Sequence, residues 1–259
     1  MTILEKITAY KKREVSAKKE MIPTSILERG TWFHAPTQSL SNALVSSSHG
    51  IIAEHKRRSP SKPIINTSSD IVEVAQGYEK AGVAGMSVLT DTYFFGGSLD
   101  DICLAKKACA LPLLRKEFII DPYQILEAKT YGADAILLIA ACLTEKELRE
   151  FSSFASTLSL EVLVEIHNEK ELQRSLHANV SMIGVNNRNL KTFETSIENS
   201  MLLSSAIPKE FVKISESGLT NPASIQELKT YGYEGFLIGE AFMKTEKPGA
   251  AAAEFIGEL

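Results

Sequence analysis

The chain has 259 residues, a length at which an α/β barrel commonly forms one domain. A formal charge of -4 at pH 7 argues against nucleic-acid binding, which requires a basic surplus. Apolar runs stay short of the roughly 20 residues that span a membrane, and residues 1–6 lack the apolar core of a signal peptide. Three cysteines, an odd number without metal-ligand spacing, argue against a disulfide framework. We therefore expect a cytoplasmic protein without nucleic-acid or membrane partners.

The first predicted element is an amphipathic helix over residues 3–15. It belongs to an N-terminal helical extension, residues 1–45, which precedes the first predicted strand and is too short to be a domain of its own. We expect this extension to pack over one end of the domain that follows and to help cover a bound substrate.

Eight short apolar runs follow, separated by helical patterns, and each is typical of a buried parallel strand. They lie near residues 50–55, 85–90, 111–116, 135–140, 161–166, 182–187, 211–215 and 235–239. Gly82, Gly132 and Gly232 recur at multiples of about fifty residues, each after a helical pattern, where glycine suits a helix C-terminus. Eight βα units in series predict a (β/α)8 TIM barrel, with residues 1–259 as a single domain. A doubly wound open sheet shares these local units and is the alternative.

Polar side chains follow several predicted strands at their C-terminal ends, where the active site of such a barrel lies. Side chains alternate along a strand, so Glu54 and Lys56 point to the same side. Charges at the end of an apolar strand are costly to desolvate, which makes them candidates for chemistry. Other residues at strand ends are Lys116 on strand 3, Glu165 on strand 5, and Asn186 and Arg188 at strand 6. Phe118 lies two residues after Lys116 and so points to the same side. A structural ion pair could explain any one of them, but their convergence in one mouth favours a catalytic site.

The turns after strands 7 and 8 match the place where barrels bind phosphate through backbone N–H groups and a helix N-terminus. They contain Ser217-Gly218 and Gly239-Glu240, and glycine lets the backbone approach a ligand closely. The rigid turn Ser59-Pro60-Ser61 after strand 1 offers hydroxyl groups to the same anion. We expect a phosphorylated small-molecule ligand, provided that Glu240 turns its carboxylate outward and offers only its N–H.

The five histidines show no spacing that would hold a metal ion. Only His167 lies near the expected mouth, and we interpret it as a structural residue or a support for the site. Neither a Ser/His/Asp order nor a nucleotide-binding glycine loop is evident. We therefore expect no metal centre.

With these motifs in place, the sequence resembles the indole-3-glycerol phosphate synthase family over nearly the whole chain. The most specific segment is Ala53-Glu54-His55-Lys56-Arg57-Arg58-Ser59-Pro60-Ser61. The other segments that carry the resemblance are Leu4-Glu5-Lys6-Ile7, Lys11-Lys12-Arg13-Glu14-Val15, Ser87-Val88-Leu89-Thr90-Asp91, Phe95-Gly96-Gly97-Ser98, Leu114-Arg115-Lys116-Glu117-Phe118, Val164-Glu165-Ile166-His167-Asn168, Gly184-Val185-Asn186-Asn187-Arg188 and Glu216-Ser217-Gly218. The resemblance implies a carboxy-lyase of tryptophan biosynthesis that acts on 1-(2-carboxyphenylamino)-1-deoxyribulose 5-phosphate. It would close the indole ring with loss of carbon dioxide and water, and without a metal or organic cofactor.

The resemblance also implies roles for individual residues. Lys116 matches the general acid that protonates the ketose carbonyl, and a lysine among carboxylates stays protonated for that task. Lys56 would bind the substrate carboxylate or phosphate and help to expel the hydroxyl, and Glu165 would be the base of the later step. Glu54 and Asn186 would orient the hydroxyls and the lysines.

Two groups of binding residues are implied in the same way. The apolar pocket for the anthranilate ring matches Pro60, Phe95, Phe118, Leu137 and Leu190. The phosphate-binding positions match Ser59, Ser217, Gly218, Gly239 and Glu240, with Arg188 close by. The sequence does not decide the oligomeric state, and we expect a monomer.

Two other functions compete with the synthase. Phosphoribosylanthranilate isomerase, another phosphate-binding barrel of the pathway, would require a cysteine base after strand 1, where this chain has Glu54 and Lys56. A catalytically silent barrel that serves as a binding subunit should have lost one or more of the charged mouth residues. Because Glu54, Lys56, Lys116 and Glu165 are all present, the synthase is favoured.

Overall fold

A computed structural model describes residues 1–189 and 192–259. Eight parallel strands form a closed barrel in chain order, and the last strand pairs with the first through Ile51 beside Phe236 and Ala53 beside Ile238. The strands are β1 (Ile51–His55), β2 (Gly85–Leu89), β3 (Leu113–Lys116), β4 (Ala135–Ile139), β5 (Glu161–Ile166), β6 (Met182–Asn186), β7 (Val212–Glu216) and β8 (Gly235–Ile238). The predicted (β/α)8 TIM barrel is confirmed, and each predicted strand limit lies within two residues of the observed one. Pairing of β1 with β8 excludes the open doubly wound sheet.

Helices connect the strands and surround the barrel. They are α1 (Ile3–Met21), α2 (Thr24–Leu27), α3 (Leu40–Ser46), α4 (Ile71–Ala81), α5 (Thr92–Phe95), α6 (Leu99–Ala108), α7 (Pro122–Thr130), α8 (Glu145–Thr157), α9 (Glu169–Ser175), α10 (Glu198–Leu203), α11 (Pro222–Thr230), α12 (Glu240–Met243) and α13 (Pro248–Gly257), with a 3-10 turn at Ala140–Cys142. Gly82, Gly132 and Gly232 follow α4, α7 and α11 with φ of 80°, 90° and 81°, which confirms the helix ends predicted from their repeat.

Helix α1 is longer than the predicted 3–15 and continues to Met21. A capping box between Thr2 and Glu5 begins it, as helix N-termini favour. Its last turns contact α7: Lys18 Nζ lies 3.4 Å from a carboxylate oxygen of Glu127, and Lys19 Nζ lies 2.9 Å from one of Asp121. The additional turns of α1 are therefore the part that forms ion pairs with α7. The apolar periodicity of the sequence carries no information about such pairs, so the predicted helix is too short.

Apolar side chains form two layers because successive residues of a strand face opposite sides of the sheet. The inner layer fills the barrel and includes Ile52, Leu114, Leu137, Leu163, Met182, Ile214 and Leu237. The outer layer packs between the strands and the helices and includes Ile51, Ala53, Met86, Val88, Ile136 and Leu138. Since side chains fill the interior, a ligand cavity has room only at the strand ends.

The N-terminal extension packs on both ends of the barrel, whereas the sequence predicted one. Leu40 and Leu44 of α3 are buried against Gly85 and Gly235, the first residues of β2 and β8, and so cover the N-terminal end. Helix α1 reaches the opposite end, where the Lys11 ammonium lies among carboxylates that follow β2 and β3. The extension is therefore divided between the two ends, with α3 at the N-terminal end and α1 at the C-terminal end of the barrel.

Lys11 is a fully buried cation, with a side chain that is 1 % exposed. Its Nζ lies 2.9 Å from Asp91 Oδ2, 3.1 Å from Glu117 Oε1 and 2.9 Å from Glu14 Oε2. Burial by itself lowers the pKa of Lys11, but the carboxylates of Glu117, Asp91 and Glu14 together raise it by more. The net shift is upward, so the ammonium stays charged. This cluster fastens α1 to the segment of β3 that carries Lys116.

Candidate active site

A cavity of about 270 Å³ opens at the C-terminal ends of the strands. Its lining includes every predicted site residue that the structure describes: Glu54, Lys56, Ser59, Pro60, Phe95, Lys116, Phe118, Leu137, Glu165, Asn186, Arg188, Ser217, Gly218, Gly239 and Glu240. Leu190, also predicted to bind the aromatic ring, lies outside the described residues. Residues far apart in the chain therefore meet in one place, as the barrel topology requires.

Two lysine–carboxylate groups form the charged floor of the cavity. At the end of β1, Lys56 Nζ donates to Glu54 Oε1 at 2.6 Å. At the end of β3, Lys116 Nζ donates to Glu165 Oε2 at 3.3 Å and also to Glu216 Oε2. Alternation along β1 turns Glu54 and Lys56 the same way, and Glu165 and Glu216 reach Lys116 from β5 and β7.

Glu216 is a site residue that sequence reasoning missed. It belongs to the Glu216-Ser217-Gly218 segment that resembles the family, but the resemblance implied roles only for Ser217 and Gly218. Its position two residues beyond the inward-facing Ile214 was the available signal. Gly184 on β6 makes room for it, because a Cβ built there would lie 2.3 Å from Glu216 Oε1.

Burial and charge set the protonation of this group. Burial lowers the pKa of Lys116, but Glu216, Glu165 and Glu54 outweigh it and hold that pKa above its ordinary value. Burial would raise the pKa of Glu165, whereas Lys116, His167 and a hydrogen bond from Asn186 lower it, so the net direction is down. Burial dominates at Glu216 and raises its pKa to about 7, against the opposing charge of Lys116. The site therefore contains an ammonium, an ionised carboxylate and a carboxyl able to exchange protons near neutrality.

The turns after β7 and β8 form the opposite wall. Ser217 and Gly218 adopt φ of 68° and 76°, a left-handed conformation that glycine tolerates best and that turns the backbone sharply. Asn187 Nδ2 stabilises this turn by donating to Ser217 O at 3.1 Å and to Ser215 Oγ at 2.9 Å. Gly239 packs against the Glu54 side chain, so that a Cβ at Gly239 would lie 2.6 Å from Glu54 Oε1.

Glu240, whose carboxylate was expected to face away from a bound anion, has a partner of its own. Lys62, from the loop after β1, donates to Glu240 Oε1. Lys62 thus compensates the negative charge of Glu240 beside the turns after β7 and β8. Arg188 also lines the cavity, and a backbone carbonyl holds its guanidinium, because Arg188 Nη1 donates to Phe193 O at 3.3 Å.

An apolar wall completes the cavity. Phe95 and Phe118 face each other with ring centroids 5.8 Å apart. Ile3, Leu4 and Ile7 of α1 add to this wall, and sequence reasoning did not assign them individually. The amphipathic pattern of the extension was their only signal. Their presence agrees with the expectation that the extension helps to cover a substrate.

The remaining observations concern the cysteines, metal-ligating side chains and long apolar helices. Cys103, Cys109 and Cys142 are free thiols. Across residues 1–189 and 192–259, no group of three or more His, Cys, Asp or Glu side chains is arranged to hold a metal ion. Among the helices described here, none is both long enough and apolar enough to cross a membrane.

A closed barrel with paired lysines and carboxylates in its mouth and glycine turns after its last two strands defines the class, a phosphate-binding (β/α)8-barrel enzyme. Residues 4–255 match the family model described as indole-3-glycerol phosphate synthase, and the chain belongs to that family. It is a carboxy-lyase of tryptophan biosynthesis that acts on a phosphorylated small molecule. The reaction closes the ring of 1-(2-carboxyphenylamino)-1-deoxyribulose 5-phosphate, with decarboxylation and dehydration, to indole-3-glycerol phosphate.

Curated relatives support the assignment along the full chain. A protein named indole-3-glycerol phosphate synthase from Bacteroides thetaiotaomicron is 46 % identical over 254 residues, which cover 98 % of this chain and 97 % of the relative. One of the same name from Polaromonas sp. is 40 % identical over 259 residues, covering 98 % of each chain. Among solved structures, thiamine phosphate pyrophosphorylase from Pyrococcus furiosus is similar with a TM-score of 0.61 over 85 % of this chain and 96 % of that one. At 12 % identity, that likeness shows the fold alone.

Proposed function

We propose that the cavity performs this ring closure with Lys116, Lys56 and Glu165 as its catalytic residues. The observation that carries the proposal is the contact of the Lys116 ammonium with both Glu165 and Glu216, beside the Lys56–Glu54 pair. Two cations and three carboxylates in one largely buried site would be costly to desolvate without a chemical use.

In the first step, the aromatic carbon that bears the carboxylate attacks the ketose carbonyl carbon. The carbonyl electron pair moves to its oxygen, and Lys116 supplies the proton that turns this oxygen into a hydroxyl. The carboxylate then leaves as carbon dioxide, and its bonding electrons restore the aromatic ring. A fixed ammonium stabilises the charge that develops on oxygen, and electrostatic stabilisation of this kind is usually the largest single contribution to enzymatic catalysis.

In the second step, the new hydroxyl leaves as water. Lys56 supplies the proton to the departing hydroxyl, while Glu165 removes a proton from the neighbouring carbon, so that the double bond of the indole ring forms. The lowered pKa of Glu165 keeps it ionised for this task. Glu216, with a pKa of about 7, returns a proton to Lys116 and takes one up from water. Transfer of the proton held by Glu165 to the uncharged Lys56 amine then restores both groups for the next turnover.

Binding residues divide along the cavity by chemistry. The phosphate lies against the Ser217-Gly218 and Gly239-Glu240 turns and the Ser59 hydroxyl, with Arg188 close by. The anthranilate ring lies against Pro60, Phe95, Phe118 and Leu137; the family resemblance implies Leu190 as well, which lies outside the described residues. Glu54 and Asn186 orient the lysines and Glu165, as their hydrogen bonds support. Holding both ends of the substrate brings the reacting carbons together, an effect that general acid–base catalysis cannot replace.

The test is Lys116→Ala, followed by the fluorescence of the indole product. We expect a folded protein that still binds indole-3-glycerol phosphate but turns the substrate over at least about a hundredfold more slowly, the low end for one general acid. Lys213→Ala is the matched control, because Lys213 lies on β7 but donates to Ser204 O at 2.7 Å, away from the cavity lining. Near-normal turnover by Lys116→Ala would remove this lysine from its assigned role.

A catalytically silent barrel is not favoured, because the chain retains all the charged groups of the reaction and belongs to the synthase family. The isomerase alternative lacks its cysteine base, since β1 ends in Glu54 and Lys56 rather than in a thiol. We further propose that the enzyme is a single-domain, cytoplasmic monomer without a nucleic-acid partner, for which the net charge of -4 is the support against nucleic acid.

A further inference from the structure

His167 lies between two carboxylates just beyond the end of β5. Its Nε2 is 3.7 Å from Glu165 Oε1, and its Nδ1 is 3.3 Å from Glu171 Oε2 in the first turn of α9. The side chain is only 14 % exposed. Within the described part of the chain, the buried Nε2 has no hydrogen-bond partner. An unpaired ring nitrogen is therefore aimed at the proposed base.

Glu171 holds this ring in place. Besides contacting Nδ1, its Oε2 accepts the backbone N–H of His167 at 2.8 Å, and its Oε1 accepts from Asn168 Nδ2 at 2.8 Å. From α10, Asn199 Nδ2 donates to His167 O at 3.3 Å and to Asn186 O at 3.0 Å. Both the backbone and the imidazole of His167 are thus fixed relative to β5 and β6.

The contacts also decide where the ring carries protons. Nδ1 faces a carboxylate oxygen and therefore bears a hydrogen. If Nε2 were bare, its lone pair would face the negative Glu165 oxygen and repel it. If Nε2 is protonated, the imidazolium attracts Glu165 on one side and Glu171 on the other.

We propose that His167 is a positioning residue for the reaction: clamped by Glu171, its imidazolium orients the Glu165 carboxylate and keeps it ionised. The inference rests on the proposed role of Glu165 as the base. His167 is not itself placed in contact with the reacting atoms, and it acts only through Glu165.

The charges around His167 agree in sign with this role. Burial lowers the pKa of His167, but the carboxylates of Glu171, Glu165 and Glu216 raise it above its ordinary value. Cys142, which also faces Glu165 and Glu171, has a pKa raised to about 12 by burial and stays a neutral thiol. His167 in turn lowers the pKa of Glu165, second among the nearby charges only to Lys116. Loss of the imidazolium must therefore make Glu165 take up its proton at a higher pH.

The experiment compares the pH profiles of kcat/KM for His167→Gln, His167→Phe and wild type. We expect both variants to shift the acidic limb upward by roughly one pH unit, the low end for loss of an opposite charge at this distance. On the acidic limb, that shift is about a tenfold loss of activity. At high pH, His167→Gln should approach the wild-type rate, because an amide can still contact Glu171, whereas His167→Phe should stay lower. Glu171→Gln should shift the limb in the same direction.

His49→Gln is the matched control, since His49 lies before β1 at the other end of the barrel and contacts Gly82 O. Its profile should match the wild type. An unshifted acidic limb in both folded His167 variants would overturn the inference, and so would an equal loss at every pH accompanied by a lower Tm. Glu165→Gln distinguishes a failure of the His167 role from a failure of Glu165 as the base. If it abolishes turnover while the His167 variants stay unshifted, the base assignment stands and only His167 loses its role. If it turns over normally, both assignments fail.

Discussion

Replacing the buried Lys11 by Met should destabilise the protein far more than replacing an exposed lysine of the same helix. The substitution keeps the length of the side chain and its apolar stem but removes the ammonium from between Asp91 and Glu117. Both carboxylates are almost completely buried, at 0 % and 2 % side-chain exposure, so water cannot replace the lost cation. Breaking a buried pair by removing one partner costs about 3–5 kcal/mol.

The lower end of that range applies here, because each carboxylate keeps other donors. Asp91 Oδ1 accepts the N–H groups of Phe94 and Phe95 at 2.6 and 3.1 Å, and Glu117 accepts from Thr90 and from its neighbour Phe118. We therefore expect the free energy of unfolding to fall by about 3 kcal/mol. A chain of this length unfolds with an entropy of roughly 0.5 kcal/mol per kelvin, so Tm should fall by about 6 °C.

The assay is urea and thermal unfolding of Lys11→Met beside Lys12→Met. Lys12 occupies the next position of the same helix but is exposed, and its replacement should change the free energy of unfolding by less than about 0.5 kcal/mol. Adding Asp91→Asn and Glu117→Gln to Lys11→Met should recover part of the loss, because the buried charges disappear together. Equal stability of the Lys11 and Lys12 variants would refute the reasoning.

Two further perturbations test the site and the core. Gly239→Ala should lower kcat/KM about tenfold, roughly 1.4 kcal/mol, because the new methyl group would lie 2.6 Å from Glu54 Oε1 and displace that carboxylate from Lys56. Steady-state kinetics measures the loss. His55→Leu should reduce the sensitivity of stability to acid. Burial lowers the pKa of His55 from 6.5 to about 4, with Arg57 acting in the same direction, so below pH 6.5 the unfolded chain binds a proton that the folded chain excludes. Stability therefore falls as pH falls, and His55 accounts for about 2 kcal/mol of the loss between about pH 7.5 and about pH 5. Urea unfolding at the two pH values measures the difference.

Each of these has a matched control in the chain. Gly257→Ala adds the same methyl group at a position where no described atom would lie within 4 Å of it, and it should leave the kinetics unchanged. If the Gly239→Ala enzyme kept the wild-type kcat/KM, displacing the Glu54 carboxylate would have no effect on the reaction, and the prediction would be wrong. For His55, the control is the exposed His177→Gln, which should keep the wild-type pH dependence. If His55→Leu lost stability on acidification as steeply as wild type, the buried imidazole would not be the cause.

The local pattern of the chain was enough to locate most of the fold. The signals are short-range: apolar runs of about five residues, polar residues between them, and glycines at helix ends. They placed all eight strands to within two residues. The period of two along a strand also put Glu54 and Lys56 on one side. Most candidate site residues could be named for the same reason, since the end of a barrel strand is recognisable in sequence.

What only the tertiary structure decided are the contacts between residues that are distant in the chain. Lys116 and Glu216 are 100 positions apart, and nothing local marks one as the partner of the other. Lys11 belongs to a helix for which the sequence predicted only an amphipathic pattern, and the docking of α1 buries it between Asp91 and Glu117. His167 likewise depends on α9 bringing Glu171 to its outer side. The physical reason is that periodicity determines the direction of a side chain relative to its own strand or helix, whereas its burial, and with it its charge and pKa, depends on which elements the closed barrel places opposite.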